Sequence, residues 1–123
     1  MTEFELALEM NHLARISDFM IIFKKECHSE YHGLYYANHK LAVIYLMEED
    51  GTRISDYQLI KTAIHELTHH ILYHYSKWES NGKNEHDLDF KELFNAMLKK
   101  YYNYDIPQGV LDLLKEEEMY EER

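Results

Sequence analysis

The chain has 123 residues, of which 46% are hydrophobic, and a formal net charge of -10 at pH 7. This length predicts one folded domain, because it is sufficient to bury a core but too short for two. The negative charge argues against direct binding to nucleic acids or to anionic membranes, because an acidic surface repels their phosphates. A protein partner is favoured instead.

The cysteine content and the first residues predict the cellular compartment. Cys27 is the single cysteine, so neither an internal disulfide nor a cysteine-based zinc ribbon is expected. Residues 1–5 are acidic where a signal peptide would be basic, and no apolar run approaches the ~20 residues needed to span a bilayer. We therefore expect a cytoplasmic protein with no membrane segment.

The N-terminal half predicts a helix followed by three strands. Thr2 and Glu5 form a capping-box pattern at the start of a helix that covers about the first 17 residues. Apolar runs then predict strands at 19–23, 32–37 and 40–46. A short polar link joins the last two as an antiparallel hairpin. The pattern predicts an α+β fold with a small, mainly antiparallel sheet of three strands.

A central helix is predicted to begin just after Ser55, which forms a second capping-box pattern with Gln58, and to end in the polar run 79–84. Two histidines, His65 and His69, project towards a cleft, roughly opposite an apolar stripe along this helix. The stripe recurs at three- and four-residue steps and consists of Ile60, Ile64, Leu67, Ile71, Tyr75 and Trp78.

This helix carries His65-Glu66-x-x-His69, which is the spacing of a zinc site. Residues four apart lie one above the other on a helix, so both imidazoles can bind the same ion. Glu66 lies about 100° around the helix, where its carboxylate can reach a water at the metal without being a ligand. The motif predicts one zinc ion per chain.

A catalytic zinc needs a third protein ligand and one position left for water. His86 lies in the first turn of a further predicted helix, in line with its apolar face, and can complete a three-histidine site. A last helix is predicted from residue 105, and the acidic run at about 115–123 is interpreted as a solvated tail.

The order of one helix, three strands, the motif helix and a later His86-x-x-x-Phe90 resembles the SprT-like zincin metallopeptidases. The resemblance implies a single zincin-like domain over residues 1–123, with His65, His69 and His86 as the zinc ligands and Glu66 as the general base. It also implies that a zinc-activated water hydrolyses peptide bonds of a protein or peptide substrate.

The chain differs from that family in three respects. Asp87 stands where a glycine is usual, a cysteine-rich zinc ribbon is missing, and the net charge is acidic where members that digest DNA-bound proteins would be basic. A tyrosine near the zinc could also stabilise an oxyanion, but the sequence does not indicate which of the eleven it would be.

Two other resemblance-based hypotheses and a simpler one stay open. In the ImmA/IrrE-like peptidases that cut repressors, a downstream glutamate such as Glu85 or Glu92 would be the third ligand. Alternatively, the chain is a non-catalytic binding protein of zincin fold, from a mobile element or phage, whose acidic surface engages a basic protein partner. The simplest hypothesis is a metal-free helical domain with ordinary surface histidines. The oligomeric state and the substrate cannot be read from the sequence.

Overall fold

A computed structural model describes residues 1–75 and 88–103. This part of the chain is α+β, as predicted, with three α-helices and one three-stranded sheet. The helices are α1 (Glu3–Ala14), α2 (Asp56–His74) and α3 (Leu88–Tyr102), and the strands are β1 (Met20–Lys24), β2 (Gly33–Tyr36) and β3 (Leu41–Tyr45). No helix in the described ranges is both long and apolar enough to cross a membrane.

The predicted capping box starts α1. The Thr2 hydroxyl accepts a hydrogen bond from the Glu5 N–H at 3.1 Å, and the Glu5 carboxylate accepts one from the Thr2 N–H at 3.0 Å. The helix ends at Ala14, three residues earlier than predicted, because Arg15 takes the left-handed conformation with φ of 58°. The Arg15 N–H then bonds back to the carbonyl of Asn11, which closes the last turn.

Ser55 starts α2, as predicted, and its hydroxyl accepts the Gln58 N–H at 3.0 Å. The Gln58 side chain does not return to Ser55 in this structure; its amide donates instead to the hydroxyl of Thr62 at 2.9 Å. The prediction that this helix ends in the polar run 79–84 was wrong, because α2 ends at His74 and Tyr75 leaves the helical conformation with φ of -122° and ψ of -4°. The predicted helix from residue 105 and the acidic tail lie outside the described residues.

The sheet has the strand order β1-β3-β2 and is mixed. The predicted hairpin is confirmed, since β2 pairs antiparallel with β3, with Gly33 opposite Ile44. The prediction of a mainly antiparallel sheet was wrong, because β1 pairs parallel with β3, with Ile22 opposite Val43. β3 lies at the centre of the sheet, and four of its five residues are buried. A strand of this kind is most stable when both of its edges are paired.

All three helices contribute to one core. α1 packs on β1, α2 packs on β2 and β3, and α3 packs on α1 and α2. Two side chains of α3 also hydrogen-bond α1: the Tyr101 hydroxyl donates to Glu9 at 2.6 Å, and the Lys100 ammonium donates to the Leu13 carbonyl at 2.8 Å. Burial and the Glu9 carboxylate raise the pKa of Tyr101, so its proton is retained. The central helix is thus enclosed by the sheet on one side and α3 on another.

Candidate functional site

The predicted apolar stripe of α2 lies in the core for most of its length. Ile60, Ile64 and Leu67 are buried, and Ile71 is partly buried against them. Tyr75 was predicted to continue the stripe but is exposed, because it is the C-cap of α2 and its backbone is no longer helical. Trp78 lies outside the described residues.

The two motif histidines lie side by side on adjacent turns, as their spacing predicts. The ring centroids of His65 and His69 are 5.1 Å apart, and both side chains are partly buried. The space opposite the apolar stripe is covered by α3 rather than open. Phe90 contacts both rings, and the centroid of Phe94 lies 5.7 Å from that of His65. The histidine pair therefore faces the first turns of α3.

The motif glutamate is buried against the edge strand β2. Glu66 is 4% exposed. A Cβ atom on Gly33 would lie 3.0 Å from Oε2 of Glu66 and 2.6 Å from Cγ2 of Thr62. Position 33 therefore has to be glycine for α2 to approach β2 this closely. As predicted, the carboxylate lies on a different side of the helix from the histidine pair.

Glu66 belongs to a row of polar residues that faces β2. Thr62, Glu66, His70 and His74 follow at four-residue steps, and each four-residue step advances ~6.0 Å along a helix, close to the ~6.6 Å of two strand residues. The row accordingly keeps in register with the strand. At its far end, His74 Nε2 lies 3.1 Å from the carbonyl oxygen of Ala37 and donates to it.

His70 is fully buried, and both of its ring nitrogens are hydrogen-bonded. Nε2 lies 3.0 Å from Oδ1 of Asp18, and Nδ1 lies 2.5 Å from the hydroxyl of Tyr35. A carboxylate only accepts, so Nε2 carries the ring proton. Nδ1 then accepts the Tyr35 proton. The chain of bonds thus runs from the Tyr35 hydroxyl through the ring to the Asp18 carboxylate.

The electrostatics hold each member of this chain in one protonation state. Burial opposes ionisation of Asp18, but hydrogen bonds from Tyr75, His70 and Lys40 outweigh it and hold its pKa well below the usual range. Burial lowers the pKa of His70, so the ring is neutral at pH 7. Burial and the Asp18 charge raise the pKa of Tyr35. Near neutral pH, the arrangement is therefore carboxylate, neutral imidazole and phenol.

Sequence reasoning assigned no role to Asp18, Tyr35 or His70. The four-residue step from Glu66 to His70 was a usable signal, because it indicates a second polar face of α2 that needs buried partners. The sequence could not identify those partners, since they lie 52 and 35 residues away along the chain. The one hydroxyl proton of Tyr35 is donated to His70, so this hydroxyl is engaged within the protein.

The described histidines outside α2 act as caps or lie at the surface. The Nδ1 atom of His28 accepts hydrogen bonds from the N–H groups of Glu30 and Tyr31. His32 Nε2 lies 3.6 Å from a carboxylate oxygen of Glu48, and both side chains are exposed. His12 and His39 are exposed as well.

The described donors fit part of a zinc site. Two imidazoles lie on adjacent turns of one helix, and a buried carboxylate lies one residue from the first of them, as the motif requires. The predicted third ligand, His86, lies outside the described residues, as does Glu85, whereas Glu92 is exposed on α3. Within residues 1–75 and 88–103, no three His, Cys, Asp or Glu side chains are grouped for metal binding.

Comparison of the chain with protein-family models, with curated proteins and with solved structures finds no match. A functional hypothesis therefore depends on the motif and on the geometry around it.

Proposed function

We propose that this chain is a zinc-dependent metallopeptidase with a zincin-like, SprT-like domain. His65, His69 and His86 would hold one zinc ion, and Glu66 would act as the general base. The observation that carries the proposal is the burial of Glu66, which is 4% exposed on the same helix that carries the two adjacent imidazoles. A general base has to be held in a fixed position within the protein, and burial on the motif helix supports that role for Glu66.

The surroundings of the histidine pair suit a bound ion. When present, zinc supplies a Lewis acid that polarises the scissile carbonyl and makes water acidic near neutral pH. His65 and His69 would bind it through one ring nitrogen each. Phe90 packs on both rings and limits their movement. An apolar wall of this kind also excludes water from the site, which strengthens electrostatic interactions within it.

Glu66 would move the proton in this mechanism. Its carboxylate would accept a proton from the attacking water and pass it to the leaving amine. The carboxylate is buried close to Gly33 of β2, and a buried, oriented base transfers protons more effectively than a solvated one. No other described residue is required for this step.

The direct test is Glu66→Gln, with Glu49→Gln on the exposed surface as the matched control. Each protein is loaded with zinc and mixed with a dye-quenched unfolded protein such as casein. We expect Glu66→Gln to retain about one zinc per chain and to lose at least about 100-fold in hydrolysis, a loss typical of a general base. Full activity in Glu66→Gln would contradict the catalytic role. The control should match wild type.

The net charge of -10 favours a second candidate, a zincin-fold binding protein that acts on a basic protein partner without cutting it. This candidate predicts salt-sensitive binding to a basic polypeptide and no cleavage of it by the zinc-loaded protein. A third possibility retains catalysis but has the third ligand of the ImmA/IrrE-like peptidases, in which Glu85 or Glu92 replaces His86. The zinc content of the His86→Ala, Glu85→Ala and Glu92→Ala variants shows whether a histidine or a glutamate is the third ligand.

A further inference from the structure

The position of His70 on α2 connects the buried hydrogen-bond chain to the candidate site. His70 follows His69 directly and lies one turn beyond Glu66 on the face towards β2. Neither ring nitrogen is available for a metal ion, because Tyr35 and Asp18 occupy both. The residue is therefore next to the proposed zinc ligands and general base without being one of them.

His70 is connected, directly or through Asp18, to all three strand regions. Tyr35 belongs to β2, and Asp18 precedes β1 by two residues. Asp18 in turn accepts a hydrogen bond at 3.0 Å from Lys40, which directly precedes β3. Because β1 and β3 are parallel and β2 is antiparallel, these three points lie at the same end of the sheet. One side chain of α2 is thus fixed to that whole end.

Such an attachment determines how α2 is rotated about its own axis. The side chains of a helix keep fixed angles to one another, with about 100° between successive residues. A rotation of α2 that moves His70 therefore turns His69 and Glu66 by the same angle. Zinc ligands must keep their distances within about 0.2 Å. A small rotation would therefore reduce metal affinity before it unfolded the domain.

We propose that His70, together with Tyr35 and Asp18, forms a positioning unit that fixes the rotation of α2 and thereby aims His69 and Glu66 at the zinc. The unit acts through the helix and does not touch the substrate. This inference rests on the proposed metallopeptidase function for its effect on zinc binding and catalysis. The restraint on the rotation of α2 applies to the metal-free protein as well.

The test uses Tyr35→Phe, which removes one oxygen atom from the unit, and Tyr36→Phe as its neighbour on the same strand with an exposed ring. We expect Tyr35→Phe to weaken zinc binding about tenfold in a chelator competition, the lower range for loss of a supporting contact. We also expect kcat to fall with KM unchanged, because the substrate contacts are intact. Tyr36→Phe should match wild type in zinc affinity and in kcat.

A second measurement applies without zinc. In the metal-free protein, amide hydrogen exchange of residues 66–74 should accelerate in Tyr35→Phe, while that of α1 stays unchanged. His70→Asn should show the same local effect more strongly; if it does not fold, Tyr35→Phe alone decides. Unaltered exchange and unaltered zinc affinity in Tyr35→Phe would overturn the inference.

The two proposals can fail separately. If wild type binds no zinc, the metallopeptidase proposal fails, and the exchange measurement still decides whether the unit fixes α2. If wild type binds zinc and cleaves its substrate, yet Tyr35→Phe has the same zinc affinity, kcat and amide exchange as wild type, only the positioning inference fails.

Discussion

The ring of Phe90 lies against the ring of His69, with centroids 4.6 Å apart, and 4.9 Å from that of His65. Phe90 is 3% exposed and stacks on Phe94 with an interplanar angle of 13°. The side of α2 that carries the motif histidines is therefore shielded by an aromatic pair from α3. The same contacts therefore contribute to the stability of the domain and form part of the surroundings of the candidate site.

Phe90→Ala should destabilise the protein by about 3–5 kcal/mol, because it removes a buried ring and leaves a cavity beside both imidazoles. Phe4→Ala on α1 is the matched control, since Phe4 is 72% exposed, and it should change stability by less than about 0.5 kcal/mol. Urea unfolding followed by circular dichroism measures both. Equal stability of the two variants would show that α3 does not pack on the histidine pair as described.

Gly33→Ala should destabilise the domain by about 1–3 kcal/mol, because its methyl group would overlap Cγ2 of Thr62. Adding Thr62→Ser removes that methyl group and keeps the hydroxyl that Gln58 contacts. The double variant should therefore recover part of the loss, and a double-mutant cycle in urea measures the coupling. Additive effects of the two substitutions would contradict the close approach of α2 to β2.

Asp18→Asn should destabilise the domain at pH 7 by about 1–3 kcal/mol, because it weakens charge-assisted hydrogen bonds from His70 and Lys40. The pKa of Asp18 in the folded protein is lower than its usual value of about 3.9. Its contribution is therefore fully present above about pH 4 and is lost as the pH falls below it.

The measurement for Asp18 is urea unfolding of wild type and variant at pH 7, 5 and 3. Other carboxylates titrate in both proteins, so the difference between their free energies of unfolding reports on Asp18 alone. We expect this difference to be constant between pH 7 and 5 and smaller at pH 3. A difference that does not change with pH would mean that the Asp18 charge contributes nothing.

Asn11→Ala should cost about 2–4 kcal/mol, because one side chain satisfies three backbone groups. Its amide donates to the carbonyls of Ala7 and Phe19, both at 2.9 Å, and its oxygen accepts the Phe19 N–H at 3.0 Å. These bonds join the end of α1 to the start of β1. Thermal unfolding beside His12→Ala, an exposed neighbour, tests this; two indistinguishable melting temperatures would refute it.

Local signals in the sequence predicted the elements well. Thr2 and Ser55 cap the helices that their side-chain chemistry indicates, and the apolar stripe of α2 lies in the core as far as Ile71. The strands also lie where apolar runs predict them. Each of these signals depends on residues a few positions apart, and so does each of the structures it predicts.

Tertiary relationships could not be predicted in this way. The parallel pairing of β1 with β3 depends on which strand gains most from the centre of the sheet, and the hairpin signal contains no information on it. The cover over the motif histidines comes from Phe90, which periodicity places on an apolar face without indicating its partner. Asp18 and Tyr35 are ordinary polar residues in the sequence and gain their role only through the buried ring of His70.

The most direct measurement of the central claim is the zinc content of the purified protein by plasma mass spectrometry after zinc has been supplied. We expect about one zinc per chain in wild type. We expect it to be lost in His65→Ala and His86→Ala and retained in Glu85→Ala and Glu92→Ala. Loss in a glutamate variant with retention in His86→Ala would assign the third ligand to a carboxylate. Wild-type protein without zinc would contradict the proposed metallopeptidase.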